Sequence, residues 1–451
     1  MMQVVREKLY GHRWPPRSQE APSDISLIAV LTPRILLDLS PASVRAREYE
    51  EELVRSHLRI LYSVHENLAV MATGSSPEPL IAEASAQIMN HRVGGLAGEK
   101  PFMDVWGLLE KYVEDGLAAQ GTVGELIGRV LSITAMDTAI NALDEVCELK
   151  YQTPVSVADY YRALLTDEAW ETLRVSVPAN RTALSEKTAK TTFEDAFVSA
   201  YFHFSHYAKA NDAAPIQDGY AWAGWLRGTA VLCQPNQELT DRVHYIYFSD
   251  QGKVGPTTMS VDLNQDKTGQ TTKLHNASTQ CADDLKVFQH GNKLPYIAAV
   301  HCYALTDGEG IFATQATEHD LRGARGDGEA PRYQIDFRGL AAYRGLTETT
   351  KDAIRSMINI SKNYLFQKHP RTYSLDSLRQ MLPVLNCEPA STAWFRGIEG
   401  KAEEKAAVAP VSTGAAAAEN EPALSASMHS PQQNADDSKM DKKRRRAKVK
   451  K

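Results

Sequence analysis

The segment Arg242–Phe248, which reads RVHYIYF, decides the fold class because it is the most strand-like stretch of the chain. β-Branched and aromatic residues fill it, and such residues suit a pleated, half-buried strand. A Gly-Pro turn at residues 255 and 256 separates it from a second run, MSVDLNQ at 259–265. Two such runs around a turn predict a pair of adjacent β-strands.

Further elements are predicted on both sides of this strand pair. The apolar run at 296–305 has the length of a buried strand, and residues 333–337 have the composition of another. The predicted helices cover 193–210, 218–233, 283–290 and 347–367. Residues 179–398 are therefore predicted to form a mixed α/β domain.

The N-terminal part of the chain has a different pattern. Between residues 46 and 178, apolar side chains recur three and four positions apart, as at Val105, Leu109 and Tyr112, which predicts a helical bundle. Residues 1–45 contain five prolines and are predicted to be an irregular arm. The predicted fold class is α+β, with the N-terminal bundle followed by the mixed α/β domain.

Residues 399–451 are predicted to be a disordered tail because they contain no aromatic residue and consist largely of Ala, Glu, Ser, Pro and Gln. The tail ends in a cluster of eight cations, which are Lys442, Lys443, Arg444, Arg445, Arg446, Lys448, Lys450 and Lys451. Closely spaced cations on a flexible terminus are what a nuclear import receptor binds. This receptor is the predicted partner and the nucleus the predicted location. The alternatives are a solvating tail in the cytoplasm, or an electrostatic contact with nucleic acid or acidic lipid.

Charge and cysteine content exclude several classes of protein. The whole chain has a formal net charge of -6, so without the eight terminal cations the rest carries -14. Such an acidic body argues against broad, non-specific nucleic-acid binding. The five cysteines are widely spaced and form no CxxC pair, which argues against a disulfide framework or a zinc site. No run of about 18 apolar residues is present, so an intracellular protein with no membrane partner is predicted.

The strand pair carries one candidate catalytic set, formed by Asp241, Gln265 and Lys267. In nucleases of the PD-(D/E)XK type, an Asp and a second acid two residues before a Lys meet across adjacent strands. The acids hold Mg²⁺ and the Lys orients water or stabilises phosphate charge. Strand alternation puts Gln265 and Lys267 on one face and Asp266 on the other. Asp241 is then the predicted metal ligand.

That set lacks a second strand acid, because Gln265 offers a neutral oxygen. Mg²⁺ binding would then need a helix acid such as Glu194 or Asp195. The alternative interpretation is that Lys267 is an exposed loop lysine. Other patterns favour ordinary packing: the pair His203 and His206, the dipeptide His301-Cys302, and the aromatic stretch Tyr220, Trp222 and Trp225. Walker, GxSxG and HExxH motifs are absent.

The stretches YFHFSHYAKAND and WLRGTAVLCQPNQ within 200–237, PYIAAVHCYAL at 295–305 and GSSPEP at 74–79 resemble a large family of uncharacterised proteins from mushroom-forming fungi. Family members often show a helix with RGxAxQC, then a strand opening with Asp, then a strand ending in QVK. That order looks like a PD-(D/E/Q)XK core. The matching positions here are Arg227, Gly228 and Cys233, then Asp241, then Gln265 and Lys267, with Asp266 in place of Val. The resemblance therefore implies a restriction-endonuclease-like fold.

Three functions follow as hypotheses. The first is a non-enzymatic, nucleus-directed protein on a degenerate nuclease-like scaffold, which acts through protein or nucleic-acid contacts and requires no cofactor. The second is an active nuclease that requires Mg²⁺. The third is a helical adaptor, for which exposed apolar surface near Trp106 or Trp225 would be the sign. The oligomeric state does not follow from the sequence.

Overall fold

The fold is given by a computed structural model that describes residues 1–15, 22–39, 44–64, 71–93, 100–118, 122–143, 147–234, 237, 239–269, 282, 285–306, 309–315 and 329–363. The described residues belong to one compact unit. None of their helices has both the length and the hydrophobicity needed to span a bilayer. The predicted tail and its eight cations lie outside the described residues, and the predicted domain boundaries stay predictions.

The described helices are α1 (Met2–Tyr10), α2 (Asp24–Ile35), α3 (Val44–Ser56), α4 (Pro79–Met89), α5 (Val105–Glu114), α6 (Val123–Asn141), α7 (Val157–Leu164), α8 (Asp167–Arg174), α9 (Glu186–Ala189), α10 (Phe193–Ala196), α11 (Asp218–Leu226) and α12 (Glu348–Asn363). The described strands are β1 (Arg59–Val64), β2 (Met71–Ser75), β3 (Arg92–Val93), β4 (Lys100–Pro101), β5 (Val155–Ser156), β6 (Ala200–Phe202), β7 (His206–Lys209), β8 (Thr229–Leu232), β9 (Arg242–Phe248), β10 (Met259–Lys267), β11 (Tyr296–Cys302), β12 (Gly310–Ala313) and β13 (Arg332–Arg338).

A nine-stranded mixed sheet is the centre of the fold. Its main strand order is β12-β13-β11-β10-β9-β6-β5, and β8 pairs with both β9 and β7. Strands β8, β9 and β10 are antiparallel neighbours, whereas β10, β11 and β13 run parallel. The predicted class, α+β, is therefore correct.

Two helix predictions near the strand pair are wrong. The segment predicted as a helix over 193–210 forms the short helix α10 and then β6 and β7, because its aromatic side chains alternate into the core as they do in a strand. The helix predicted over 218–233 ends with α11, and Gly228 follows with a φ of +63° that favours glycine. The chain then enters β8.

The N-terminal predictions also need correction. Residues 1–45 contain α1, α2 and the start of α3 instead of forming an irregular arm. Pro33 lies within α2, near the end of that helix, and Ser23 caps its N-terminus. Residues 46–178 contain most of α3 and the helices α4 to α8, but also two small hairpins, β1–β2 and β3–β4, and strand β5 of the central sheet, so the predicted helical bundle is not confirmed. Residues 285–290, the described part of the helix predicted at 283–290, form turns.

Helices cover both faces of the sheet and approach it closely. On one face, a Cβ atom added to Gly128 of α6 would lie 2.5 Å from Asp266 Oδ1. On the other face, a Cβ atom added to Gly224 of α11 would lie 2.1 Å from the Tyr245 ring. Glycine at these two positions lets each helix contact the strands directly. We call these the α6 face and the α11 face.

Candidate functional site

Asp241, Gln265 and Lys267 lie at one end of the sheet, where β9 begins and β10 ends. The last registered pair of these two strands is Asn264 with Arg242, and the Asp241 N–H donates to the Asn264 carbonyl at 2.8 Å. This bond is offset by one residue from the registered pair, so the regular ladder ends at Asn264 and Arg242. The structure therefore places Asp241 beside the end of β10, where Gln265 and Lys267 follow Asn264 on the same strand.

The carboxylate of Asp241 also holds the strand end. Its Oδ2 accepts a hydrogen bond from the Asp266 N–H at 2.7 Å. Burial raises the pKa of Asp241, the nearby charge of Asp266 raises it further, and Lys267 acts in the opposite direction. Asp241 thus combines a structural hydrogen bond with a partly buried charge.

Asp266 points to the α6 face, as strand alternation predicts. It forms a fully buried ion pair with Arg242 at 2.8 Å and accepts a hydrogen bond from the Tyr303 hydroxyl at 2.7 Å. Burial alone would raise the pKa of Asp266, but Arg242 and its other partners hold it below the ordinary value. Asp266 is therefore committed to the core and does not serve the site formed by Asp241 and Gln265.

Two histidines extend this buried polar row. Because a carboxylate accepts, His244 Nδ1 donates a hydrogen bond to Asp262 Oδ2 at 2.9 Å. His244 Nε2 accepts a hydrogen bond from the Tyr207 hydroxyl at 2.9 Å. Burial lowers the pKa of His244. We use the name α6-face network for these buried residues together with the pair Arg242–Asp266 and with His301.

His301 completes the network on the neighbouring strand. His301 Nε2 donates a hydrogen bond to the Asn264 side-chain oxygen at 2.9 Å, because that oxygen can only accept. The Nδ1 of the neutral ring then accepts a hydrogen bond from the Tyr343 hydroxyl at 2.7 Å. Burial, reinforced by the charge of Arg242, lowers the pKa of His301 to about 3. The ring is therefore neutral at physiological pH and acts as a fixed hydrogen-bonding group.

A cleft of about 230 Å³ opens beside Asp241 at the end of the sheet. Glu125, from the first turn of α6, lines it together with Asp241, and the side chains of Lys209 and Arg129 supply positive charge. Asp241 lines this cleft, whereas Gln265 and Lys267 are not among the described residues that line it. The cleft therefore contains one predicted residue and one that the sequence interpretation missed.

Glu125 is a mostly buried acid that lines the cleft. Burial raises the pKa of Glu125 to about 7, against the attraction of Arg129, and the charges of Asp241 and Asp266 raise it further. Its sequence context, Thr122-Val-Gly-Glu125, matches a capping box, which is a structural pattern. Thr122 makes no side-chain cap bond, and Glu125 faces the cleft instead.

The helix acids suggested by sequence lie elsewhere in the fold. Glu194 is within 3.5 Å of Arg174 and 3.8 Å of Arg162, and about two-fifths of its side chain is exposed (43%). Asp195 belongs to the first turn of α10, where its N–H donates to the Thr192 hydroxyl. These ion-pair and capping roles account for both residues.

The other candidate side chains are mostly part of the core. His206 is buried, and its Nε2 contacts the Pro77 carbonyl at 3.0 Å. His301 and Cys302 point to opposite faces, so they form no dyad. Trp225 itself is buried against Tyr247, but Tyr220, Trp222 and Leu226 on the same helix are exposed, which is the kind of apolar surface that the adaptor hypothesis expects.

Comparison of the chain with protein-family models, with curated proteins and with solved structures gives no match. The resemblance to fungal proteins and to the PD-(D/E/Q)XK core stays a prediction. Within the described ranges, no group of three or more His, Cys, Asp or Glu side chains is placed to hold a metal ion.

Proposed function

We propose that the body of this protein is a nuclease-like scaffold that contacts nucleic acid at the strand ends bearing Asp241, Gln265 and Lys267. One observation carries the proposal: Asp241, next to the start of β9, hydrogen-bonds to Asn264 and Asp266 of β10, which flank Gln265, and Lys267 follows two residues after Gln265. This is the arrangement that the PD-(D/E/Q)XK resemblance predicts. The proximity of Asp241 to the strand that carries Gln265 and Lys267 supports the proposal.

The charges at these strand ends favour contact with a phosphate backbone. Gln265 is neutral, and Asp266, the acid nearest to it on the strand, is neutralised by Arg242 on the other face. Among the described residues, no carboxylate pairs with Lys267 within ion-pair distance. An unpaired lysine beside an amide suits a phosphodiester, while the body's charge of -14 confines such contact to local surfaces.

The test is binding of a labelled oligonucleotide to full-length protein in which the eight cations of 442–451 are each replaced by Gln. This background removes the contribution of the tail. We expect measurable binding that weakens in Lys267→Gln and not in Lys253→Gln. Lys253 is an exposed lysine in the β9–β10 connection, at the other end of the sheet, and is the matched control. Absence of oligonucleotide binding by the parent protein would refute the proposal.

Glu125 favours a second candidate function, a Mg²⁺-dependent nuclease. Mg²⁺ is commonly bound through one or two carboxylates plus water, and the cleft offers two carboxylates, Asp241 and Glu125. Burial and the charges of neighbouring acids raise the pKa of both carboxylates, and a bound divalent cation would favour their charged forms. The residues therefore fit the ion. Asp241 and Glu125 would hold it, and it would supply Lewis acidity toward a phosphate oxygen.

Cleavage assays separate this candidate from binding alone. Full-length protein is incubated with DNA or RNA and Mg²⁺ or Mn²⁺, in parallel with Asp241→Asn and Glu125→Gln. The nuclease candidate predicts cleavage that both substitutions abolish, with oligonucleotide binding retained. Cleavage that survives in both variants would indicate a contaminating enzyme, and no cleavage on any substrate would leave the binding function alone.

We further propose that residues 442–451 direct the protein to the nucleus through an import receptor. The support is the isolation of eight cations at the end of a chain whose remainder is acidic. A fluorescent fusion of the full chain should accumulate in the nucleus, and the same fusion with those cations replaced by Gln should not. An identical distribution of both fusions would show that the segment is not a nuclear address.

A further inference from the structure

The carboxyl ends of three parallel strands lie side by side at the edge of the candidate site. Lys267 at the end of β10 is in register with Cys302 of β11, which is in register with Arg338 of β13. Register partners point to the same face of a sheet, so these three side chains share the α11 face with Gln265. The two cations are two strand spacings apart, roughly 10 Å at the backbone.

Lys267 and Arg338 both affect the pKa of the Cys302 thiol, which lies between them in the strand register. Burial raises the pKa of the Cys302 thiol, Asp336 raises it further, and Lys267 and Arg338 both lower it. Asp336 lies two residues before Arg338, on the same face of β13. The two cations are therefore closer than this acid to the carboxyl ends of the strands.

Arg338 is held in place without an acidic partner. Its guanidinium carbon lies 3.7 Å from the centre of the Phe312 ring, and Phe312 is 44% exposed. Its Nε is buried and makes no hydrogen bond within the part of the chain that the structure describes. By contrast, Arg34, Arg174, Arg242 and Arg344 all pair with carboxylates. An arginine stacked on a ring, with no ion-pair partner among the described residues, can bind an anion.

We propose that Lys267 and Arg338 together bind one phosphate group of a nucleic-acid backbone above Cys302. This inference rests on the proposed function and adds Arg338, which the sequence interpretation did not identify, as a positioning residue. The planar guanidinium fork can bind two phosphate oxygens, while the lysine contributes a point charge. The bound phosphate would lie one register step beyond Gln265 on the same face of the sheet.

The experiment measures the salt dependence of binding, because each phosphate contact changes its slope. A labelled single-stranded 20-mer is titrated with full-length protein in the tail-neutralised background between 50 and 300 mM salt. Arg338→Gln and Lys267→Gln should each lower the slope of log K against log salt by about 0.7, which is about fourfold in affinity at 0.15 M salt. Because the two cations share one phosphate, the double variant should lower it by no more than about 0.7. Lys253→Gln should leave the slope unchanged.

Conservative variants test the geometry and guard against misfolding. Arg338→Lys keeps the charge and should restore most of the salt slope, which a merely structural role would not produce. Phe312→Leu removes the ring under the guanidinium and should weaken binding less than Arg338→Gln. Circular dichroism and the unfolding midpoint of each variant establish that it is folded before binding is measured.

The outcomes distinguish this inference from the proposed function. If the parent protein binds no oligonucleotide, the proposed function fails and the phosphate site fails with it. If the parent binds but Arg338→Gln leaves the slope unchanged while Lys267→Gln lowers it, the inference alone is overturned. Titration with inorganic phosphate identifies the source of the anion. Loss of phosphate binding in Arg338→Gln without a change in oligonucleotide slope would assign the site to free phosphate and reject the proposal.

Discussion

The two faces of the central sheet carry similar charged residues but use them differently. On the α6 face, Arg242 and Asp266 are buried and paired with each other. On the α11 face and at the strand ends, Lys267 and Arg338 have no ion-pair partner in the described ranges, and Asp241 is close to a second acid, Glu125. These residues come from the same strands, often from adjacent positions. The difference lies in what packs against each face.

This comparison separates structural charges from candidate functional ones. Charges in the α6-face network stabilise one another inside the core, where an unpaired charge would be very costly. Charges at the strand ends remain available for an external ion, at some cost to the stability of the protein. Substitutions on the two faces should therefore differ in both the size and the sign of their effects.

The largest expected effect is from Arg242→Leu, which leaves Asp266 buried without its cation. We expect a loss of about 3–5 kcal/mol in the free energy of unfolding, measured by urea denaturation. Lys267→Gln, on the same strand pair, should change it by no more than about 0.5 kcal/mol. The double variant Arg242→Leu with Asp266→Leu should recover part of the loss, because no lone charge remains. A loss below about 1 kcal/mol in Arg242→Leu would contradict the structural assignment of this pair.

A smaller effect is expected from His301→Phe, which keeps the stacking on Phe337 but leaves Asn264 and Tyr343 without their partner. We expect a loss of about 1–3 kcal/mol at pH 7.5. His301 is neutral in the folded state, with a pKa of about 3, and protonates near pH 6.5 when unfolded. Wild-type stability therefore falls as the pH drops below about 6.5, and the variant lacks this contribution.

The stability gap between wild type and His301→Phe should accordingly narrow by about 1.4 kcal/mol between pH 7.5 and pH 5.5. Denaturation curves at the two pH values provide the measurement. A gap that stays constant would mean that His301 carries a proton in the folded protein.

The smallest effect, and the one with opposite sign, is expected from Glu125→Gln. The pKa of Glu125 is raised to about 7 in the folded state, so wild type loses stability as the pH rises from about 4.5 to 7. Removing the charge should stabilise the protein by about 1 kcal/mol at pH 8, after allowance for partial exposure, and should have little effect at pH 5. Thermal unfolding at both pH values tests this. Destabilisation at pH 8 would show that Glu125 is a structural acid.

The sequence predicted those elements whose pattern reflects burial on both faces of the sheet. β9 matches its predicted bounds, and β10, β11 and β13 differ from theirs by a few residues at their ends. The segment 193–210 was predicted as a helix because, over short lengths, aromatic residues are compatible with the periods of both a helix and a strand. Its assignment to β6 and β7 depends on pairing with β9 and β8, which no local pattern shows.

The residues of the candidate site likewise fall into those that the sequence predicted and those that only the tertiary structure identified. Alternation along β10 was enough to predict that Gln265 and Lys267 lie on one face and Asp266 on the other, since the side-chain period of a strand is fixed by backbone geometry. The sequence also determined the acidic body, the cationic terminus and the α+β class, because these depend on composition and local period alone. Glu125 and Arg338 required the tertiary structure. Glu125 precedes Asp241 by 116 positions, and only chain packing places the two acids in one cleft. Arg338 follows Lys267 by 71 positions, and only strand register places the two cations on one face.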